Sequence, residues 1–86
     1  MKVIYKYILD VNREQSLELS IDSEILSVQM QGGNLCLWAM VNEELPKVKR
    51  NIHIYGTGIT IHEDNLQYVG TVQDGDYVWH VFIENV

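Results

Sequence analysis

Hydrophobic and polar residues alternate along much of this chain with the period of two that is typical of β-strands. In Ser16–Ile21 each polar residue is followed by a leucine or an isoleucine, which indicates a strand with one side in water. The segment Leu35–Val41 is almost continuously apolar, and we predict that it forms a central strand buried on both faces. The other predicted strands are Val3–Leu9, Glu24–Gln31, Val48–Tyr55, Tyr68–Gln73 and Tyr77–Ile83, with Ile59–Ile61 as a short return strand.

Glycine, proline and acidic residues mark where these strands end. Gly32–Gly33 and Asp74–Asp76 are strong hairpin signals, because glycine adopts positive φ at little cost. Gly56–Gly58 predicts a tight turn or a bulge. The one proline of the chain lies in Asn42–Pro46. Since proline cannot donate to a strand ladder, we predict that this segment connects two halves of the domain.

Composition favours the same fold. The 86 residues include ten valines, nine isoleucines and five tyrosines but one alanine; the first three suit a pleated sheet, whereas alanine is the best helix former. Turn signals recur about every ten residues, which is the spacing of a sandwich or a barrel. We therefore predict one all-β domain over residues 1–86, with about seven mostly antiparallel strands in a compact sandwich or small barrel.

Charge and apolar content exclude several classes of protein. No run of about 18 apolar residues is present to span a membrane. The charged start of the chain is a poor secretory signal, and we expect no membrane partner. A net charge of −6 opposes direct nucleic-acid binding, although an acidic domain can itself mimic nucleic acid. A domain of this size is marginally stable alone, which leaves homo-oligomerisation open.

The histidines are the residues best suited to hold a metal. A two-residue turn at Gly56–Gly58 places His53 and His62 on one face of a hairpin, whereas a three-residue turn places them on opposite faces. His80 lies in the last predicted strand. Two candidate ligands in an undetermined register are a weak metal signal, so we predict no metal and no cofactor.

No segment carries the residue pattern of a covalent catalyst. Cys36, the one cysteine, lies in an apolar strand, where burial makes a thiol inert. No serine lies in a glycine-flanked elbow. Gly56–Gly58 lacks the third glycine of a dinucleotide-binding loop and the lysine of a phosphate-binding loop. We predict that the protein is not an enzyme.

Half of the six basic residues lie between Lys47 and Arg50, and two interpretations of this cluster are open. The bases protect an exposed strand edge, or they bind a phosphate-bearing ligand, for which a guanidinium has the better geometry. Aromatic residues of neighbouring strands either form core pairs or stack on the ring of such a ligand. The candidate ligand-binding residues are Lys49, Arg50, Tyr55, Thr57, Trp79 and His80.

Six short segments carry a likeness to a known family. They are Ile4–Tyr7, Ile25–Gln29, Cys36–Ala39, Tyr55–Gly58, Tyr68–Thr71 and Trp79–Phe82. In this order and spacing they resemble a family of short, largely uncharacterised bacteriophage and prophage proteins, and the resemblance covers essentially the whole chain. Asn42–Pro46 is a milder version of the proline-rich loop that such proteins often have at this point.

The resemblance implies a phage-encoded accessory protein in the cytoplasm of the bacterial host, and it does not imply an enzyme. Such proteins frequently blunt host defence, either by binding a defence protein or by sequestering a nucleotide signal. We therefore expect a non-enzymatic binding protein whose partner is a host protein or a small nucleotide. The alternative is a minor structural component of the virion or of its assembly.

Overall fold

The chain folds into two antiparallel β-sheets that pack on each other. The computed structural model describes residues 1–11 and 14–85. The strands are β1 (Lys2–Leu9), β2 (Gln15–Ser20), β3 (Glu24–Gln31), β4 (Asn34–Asn42), β5 (Lys47–Gly56), β6 (Leu66–Asp74) and β7 (Tyr77–Glu84). Sheet I has the strand order β1-β4-β3, and sheet II has the order β2-β5-β7-β6. Because neither sheet closes on itself within the described ranges, the predicted all-β fold is confirmed as a sandwich rather than a barrel.

Alternation along the strands decides which side chains form the core. In β4 every second residue, from Leu35 to Val41, points into the sandwich and is buried. The predicted alternation of β5 is confirmed, because Ile52 is buried between residues that face outward. Sheet II contributes Leu19, Ile52, Val72, Val81 and Ile83 to the core. No helix in the described part of the chain is long and apolar enough to cross a membrane.

Both predicted hairpins are present. Gly32 and Gly33 join β3 to β4 with φ values of 58° and 81°, in the left-handed region where a side chain is strained. Gly75 has a φ of 60° between β6 and β7. These turns keep each hairpin within one sheet, so the hydrophobic alternation of its two strands falls on the same side.

The chain passes between the two sheets three times, from β1 to β2, from β2 to β3 and from β4 to β5. The last two crossings share one corner of the sandwich, where Asn42–Pro46 connects sheet I to sheet II. The amide of Ile21 donates to the carbonyl of Pro46 at 2.9 Å. The amide of Asn42 donates to the Ser20 hydroxyl, also at 2.9 Å, and this contact ties the end of β2 to the end of β4.

One side of the sandwich is closed and the other is open. On the closed side β3 of sheet I approaches β6 of sheet II so tightly that a Cβ at Gly70 would lie 2.8 Å from Cγ2 of Val28. On the opposite side the edge strands are β1 and β2, and a cleft separates them. The absence of a side chain at Gly70 therefore permits the close approach of β3 and β6.

Two sequence-based expectations are wrong in detail. Ile59–Ile61 forms no strand; Ile59 and Ile61 are exposed, and the end of β5 pairs with β7 instead. The reason is that β7 supplies Val81 and Ile83 to the core, which a three-residue return strand could not match. The second error concerns the outward side of β4, where Trp38 remains half-buried because no layer covers it.

The contact at Gly70 makes a direct prediction about stability. Replacing Gly70 with alanine should lower the free energy of unfolding by about 1–3 kcal/mol, because the new methyl group overlaps Val28. Urea unfolding measures the loss. Gly56→Ala is the matched control and should be milder, since a Cβ there meets its nearest atom, Cζ3 of Trp79, at an ordinary 3.6 Å.

A double variant separates the clash from a general effect of removing glycine. In a Val28→Ala background, Gly70→Ala should cost less than it does alone, because the colliding methyl group is gone. Equal costs in the two backgrounds would contradict the close approach of β3 and β6.

Candidate functional site

The outward side of sheet II gathers most of the polar and aromatic side chains that could bind a ligand. Alternation places there the side chains that lie between the core positions of β5, β6 and β7. We call this surface the polar–aromatic face; its residues are Lys49, Asn51, His53, Tyr55, Tyr68, Thr71, His80, Phe82 and Glu84.

A row of rings runs across three strands of this face. His53 stacks in parallel on Tyr55, with ring centroids 6.3 Å apart. The edge-to-face contacts of Phe82 with Tyr55 and with Tyr68 have centroid distances of 5.8 Å and 5.5 Å. The cause is the strand register, which places Phe82 directly between His53 of β5 and Tyr68 of β6. Tyr68 stands at the exposed end of the row, where 57% of it is accessible.

An imidazole and a carboxylate meet at one end of the face. Nε2 of His53 lies 2.6 Å from a carboxylate oxygen of Glu84. The side chain of His53 is 12% exposed and that of Glu84 is 38% exposed, so the contact is partly shielded from water. The pairing fixes the plane of the imidazole ring against Tyr55.

A second carboxylate reaches the face from the segment that follows β5. The hydroxyl of Tyr55 donates to Glu63. Burial, followed by this hydrogen bond and by the charges of nearby glutamates, raises the pKa of Tyr55 to about 12. The same hydrogen bond lowers the pKa of Glu63 below its ordinary value of 4.5. The contact therefore holds residues 57–65 against sheet II over a wide pH range.

His80 is held between two threonines. Its Nε2 lies 2.8 Å from the hydroxyl of Thr57, and its Nδ1 lies 3.0 Å from the hydroxyl of Thr71. The hydroxyls of Tyr68 and Thr71 are also hydrogen-bonded, at 2.6 Å. A continuous chain of hydrogen bonds thus runs from the turn after β5 to the exposed end of the ring row.

The structure divides the six candidate ligand-binding residues between two sides of sheet II. Lys49, Tyr55 and His80 lie on the polar–aromatic face, and Thr57 joins them through His80. The side chains of Arg50 and Trp79 point to the inward side of sheet II, because each residue is next in sequence to one whose side chain points outward. The six residues therefore do not surround one pocket.

Arg50 and Trp79 have structural contacts of their own. The guanidinium of Arg50 donates to the carbonyl of Glu84 at 3.3 Å, while its buried Nε has no hydrogen-bond partner among the described residues. The indole of Trp79 donates to a carboxylate oxygen of Asp74 at 3.3 Å, and the ring packs against the core. Neither side chain can reach a ligand on the polar–aromatic face.

Two shallow cavities lie side by side along β5. Their volumes are about 330 Å³ and 280 Å³, and both are lined by Glu14, Ile52 and His53. Lys49 and Glu84 complete the first, and Tyr55 and Glu63 complete the second. Three carboxylates thus stand beside one lysine, and this balance disfavours a phosphate-bearing ligand.

Sequence reasoning missed a cleft on the open side of the sandwich. It has a volume of about 450 Å³ and lies between the edges of β1 and β2. Tyr5 and Tyr7 form its aromatic wall, and Glu18, Glu43 and Lys47 are its charged residues. The available signal is the alternation of β1, which places Tyr5 and Tyr7 on the same face as Leu9.

The described residues contain no group of three or more histidine, cysteine, aspartate or glutamate side chains that could hold a metal ion. Neither proposed register of His53 and His62 occurs, because residues 57–64 form no strand and His62 is exposed there. Cys36 is buried, as predicted.

These features define a small β-sandwich with a polar–aromatic surface on its larger sheet. The chain belongs to the family described as a domain of unknown function, DUF7352, which matches it over residues 1–86. No curated protein and no solved structure matches it. The family description gives no activity, so function has to be argued from the surface itself.

The hydrogen bond between Tyr55 and Glu63 predicts how stability depends on pH. Tyr55→Phe should be less stable than the wild type near neutral pH, because phenylalanine cannot donate to Glu63. The difference should shrink below pH 4.5, as Glu63 gains a proton through its lowered pKa. It should shrink again as pH rises from 10 through about 12, where Tyr55 loses its proton.

Urea unfolding at a series of pH values measures this difference, and ultraviolet absorbance of tyrosinate follows Tyr55 directly. Tyr77→Phe, at a tyrosine that is 65% exposed, is the control. Identical pH profiles for the two variants would contradict the role assigned to Glu63.

Proposed function

We propose that this protein is a phage-encoded accessory protein that acts by binding a host protein, without catalysis of its own. The observation that carries the proposal is the row of rings on the polar–aromatic face, which ends at the exposed Tyr68. Tyrosine is enriched among the residues that dominate protein–protein binding energy. A flat, preformed aromatic surface suits a protein partner better than a small molecule, which is usually held in a concave pocket.

The charges around the rings support a partner with a basic surface. Glu63 and Glu84 contact the ring row directly, and Glu14 lines the neighbouring cavities. The whole chain carries a net charge of −6, so association with a basic protein surface is accelerated by long-range attraction. A nucleotide would meet the same carboxylates with its phosphates, and only Lys49 among the predicted bases faces it.

The surroundings of His80 support binding rather than catalysis. A histidine that activates a hydroxyl nucleophile is normally oriented by a carboxylate on its other ring nitrogen. Here a hydroxyl occupies each nitrogen, Thr57 at Nε2 and Thr71 at Nδ1. The two hydroxyls hold the imidazole ring of His80 in place. Since no carboxylate contacts its other nitrogen, His80 lacks the partner that would make it a strong base toward Thr57.

The resemblance to phage and prophage proteins supports action in the bacterial cytoplasm against host defence, with the bound protein as the target. A minor structural role in the virion is the second candidate. Its support is the exposed apolar side of sheet I, where Ile4 and Ile8 are more than half accessible. Growth of open-ended assemblies with concentration would favour this second candidate.

Binding through the polar–aromatic face predicts a specific loss. Tyr68→Ala should weaken capture of the host partner at least about tenfold, because it removes the exposed end of the ring row. Pull-down from lysate of the bacterial host, followed by titration of the captured protein, measures the loss. Tyr77→Ala is the matched control, since Tyr77 is at 65% even more exposed than Tyr68 but stacks on Trp79 away from this face.

The same preparation distinguishes the two kinds of ligand. A nucleotide ligand, cyclic or linear, would raise the melting temperature of the purified protein by mass action. Such a shift, together with equal capture by both tyrosine variants, would overturn protein binding through this face. Turnover of a substrate would overturn the non-enzymatic assignment.

A further inference from the structure

Sheet I has an outward side that none of the described residues covers with a further layer. Alternation places Ile4 and Ile8 of β1 there, and they are 55% and 61% exposed. Trp38 and Met40 of β4 lie beside them and are half-buried. We call this surface the apolar face; its residues are Lys2, Ile4, Lys6, Ile8, Glu24, Ser27, Gln29, Gln31, Trp38 and Met40.

The apolar face has almost none of the negative charge of the molecule. The chain contains twelve acidic residues, yet Glu24 is the one acid at these outward positions. The ammonium of Lys6 reaches across β4 to Gln31 at 2.9 Å. The charged residues of this face, Lys2, Lys6 and Glu24, lie on its two edge strands, and its centre on β4 is aromatic and aliphatic, as in an interface with an apolar core and a polar rim.

Two opposite charges stand at opposite edges of the face. Lys2 lies on the edge strand β1 and pairs with Asn42, while Glu24 lies on the edge strand β3 and pairs with Met40. Their pairing partners on β4, Asn42 and Met40, are two residues apart, so Lys2 and Glu24 stand at nearly the same level on opposite edges of the sheet. Among the described residues neither Lys2 nor Glu24 has an ion-pair partner. A half-turn about an axis parallel to β4 therefore brings the positive charge of one copy near the negative charge of a second copy.

We propose that the apolar face binds a second copy of this chain in a symmetric, face-to-face dimer. A two-fold axis parallel to β4 lays β1 of one copy over β3 of the other and β4 over β4. Each Glu24 then lies opposite Ile4 of the second copy, one two-residue step from its Lys2, which the long lysine side chain can span. Trp38 and Met40 meet their counterparts near the axis. Sheets that pack in this aligned manner are common in β-sandwiches.

The size of the face predicts a weak dimer. Strands of eight residues rising about 3.3 Å per residue, in three rows about 4.8 Å apart, span roughly 26 by 14 Å. Two such faces bury less than about 1,200 Å², which is the lower end for specific interfaces. We therefore expect a dissociation constant in the micromolar range, and a closed pair rather than a growing fibre, because the two-fold contact uses the face completely.

This inference does not depend on the proposed function. The polar–aromatic face lies on the outward side of sheet II, on the far side of the sandwich from the apolar face. A dimer through sheet I leaves both polar–aromatic faces accessible and directed away from each other. Partner binding and pairing of copies can therefore be measured separately.

Sedimentation equilibrium of the full chain at rising concentration is the first test. The wild type should form dimers, and Ile4→Glu or Ile8→Glu should raise the dissociation constant at least about tenfold, because each places an unpaired carboxylate in the contact. Ile59→Glu is the matched control, since Ile59 is 62% exposed but follows β5 of sheet II. Circular dichroism confirms that each variant is folded.

A charge exchange tests the symmetry. Glu24→Lys and Lys2→Glu should each weaken self-association several-fold, because each places like charges opposite one another. An equal mixture of the two variants should form heterodimers more strongly than either variant forms homodimers, as measured by native mass spectrometry. That result, with loss of the dimer in Ile4→Glu and retention in Ile59→Glu, supports the proposal.

Four outcomes would overturn it. They are a wild type that stays monomeric up to about 1 mM, a dimer that persists in Ile4→Glu and Ile8→Glu, assemblies larger than a pair, and mixed charge variants that associate no better than the separate ones. The last outcome would leave an edge-to-edge contact through β1, which does not involve Glu24.

Discussion

The relative placement of the two sheets depends on the hydroxyl of Ser20, the one buried polar side chain of the described residues, with 3% of it exposed. It accepts a hydrogen bond from the amide of Asn42 and donates one to Asp22, at 2.9 Å and 3.0 Å. Two of the three chain crossings between the sheets, from β2 to β3 and from β4 to β5, occur at this corner. Because a buried hydroxyl is costly unless both of its roles are satisfied, the corner has one favourable geometry. Sheet II then faces sheet I with Leu19 and Ile52 inward.

That orientation determines the character of each outer surface. Once Ile52 points inward, His53 must point outward, and the same rule turns Arg50 away from Lys49. The polar groups of the outward residues then satisfy one another, as in the pairs of His53 with Glu84 and of Tyr55 with Glu63. Side chains held in this way lose little conformational entropy when a partner binds, so a shallow surface can bind well without a deep pocket.

Local pattern was enough to predict the strands and hairpins, because alternation and glycine turns are properties of neighbouring residues. The contacts that form the site are not local. His53 meets Glu84 across 31 positions of sequence, and Thr57 meets His80 across 23. These contacts require β7 to lie between β5 and β6, an order that no short segment encodes. Alternation alone gives Lys49 and Arg50 opposite directions, so neighbouring charges on one strand do not form a single binding surface.

The two outer surfaces have opposite chemistry, and this difference determines how a dimer could bind its partners. If two copies pair through the apolar face, their polar–aromatic faces point away from each other, so one flat partner surface cannot reach both of them. Under the proposed function, such a dimer would join two partner molecules and would add no avidity toward either of them. The affinity for each partner would then depend on a single polar–aromatic face, whose two cavities measure only about 330 Å³ and 280 Å³.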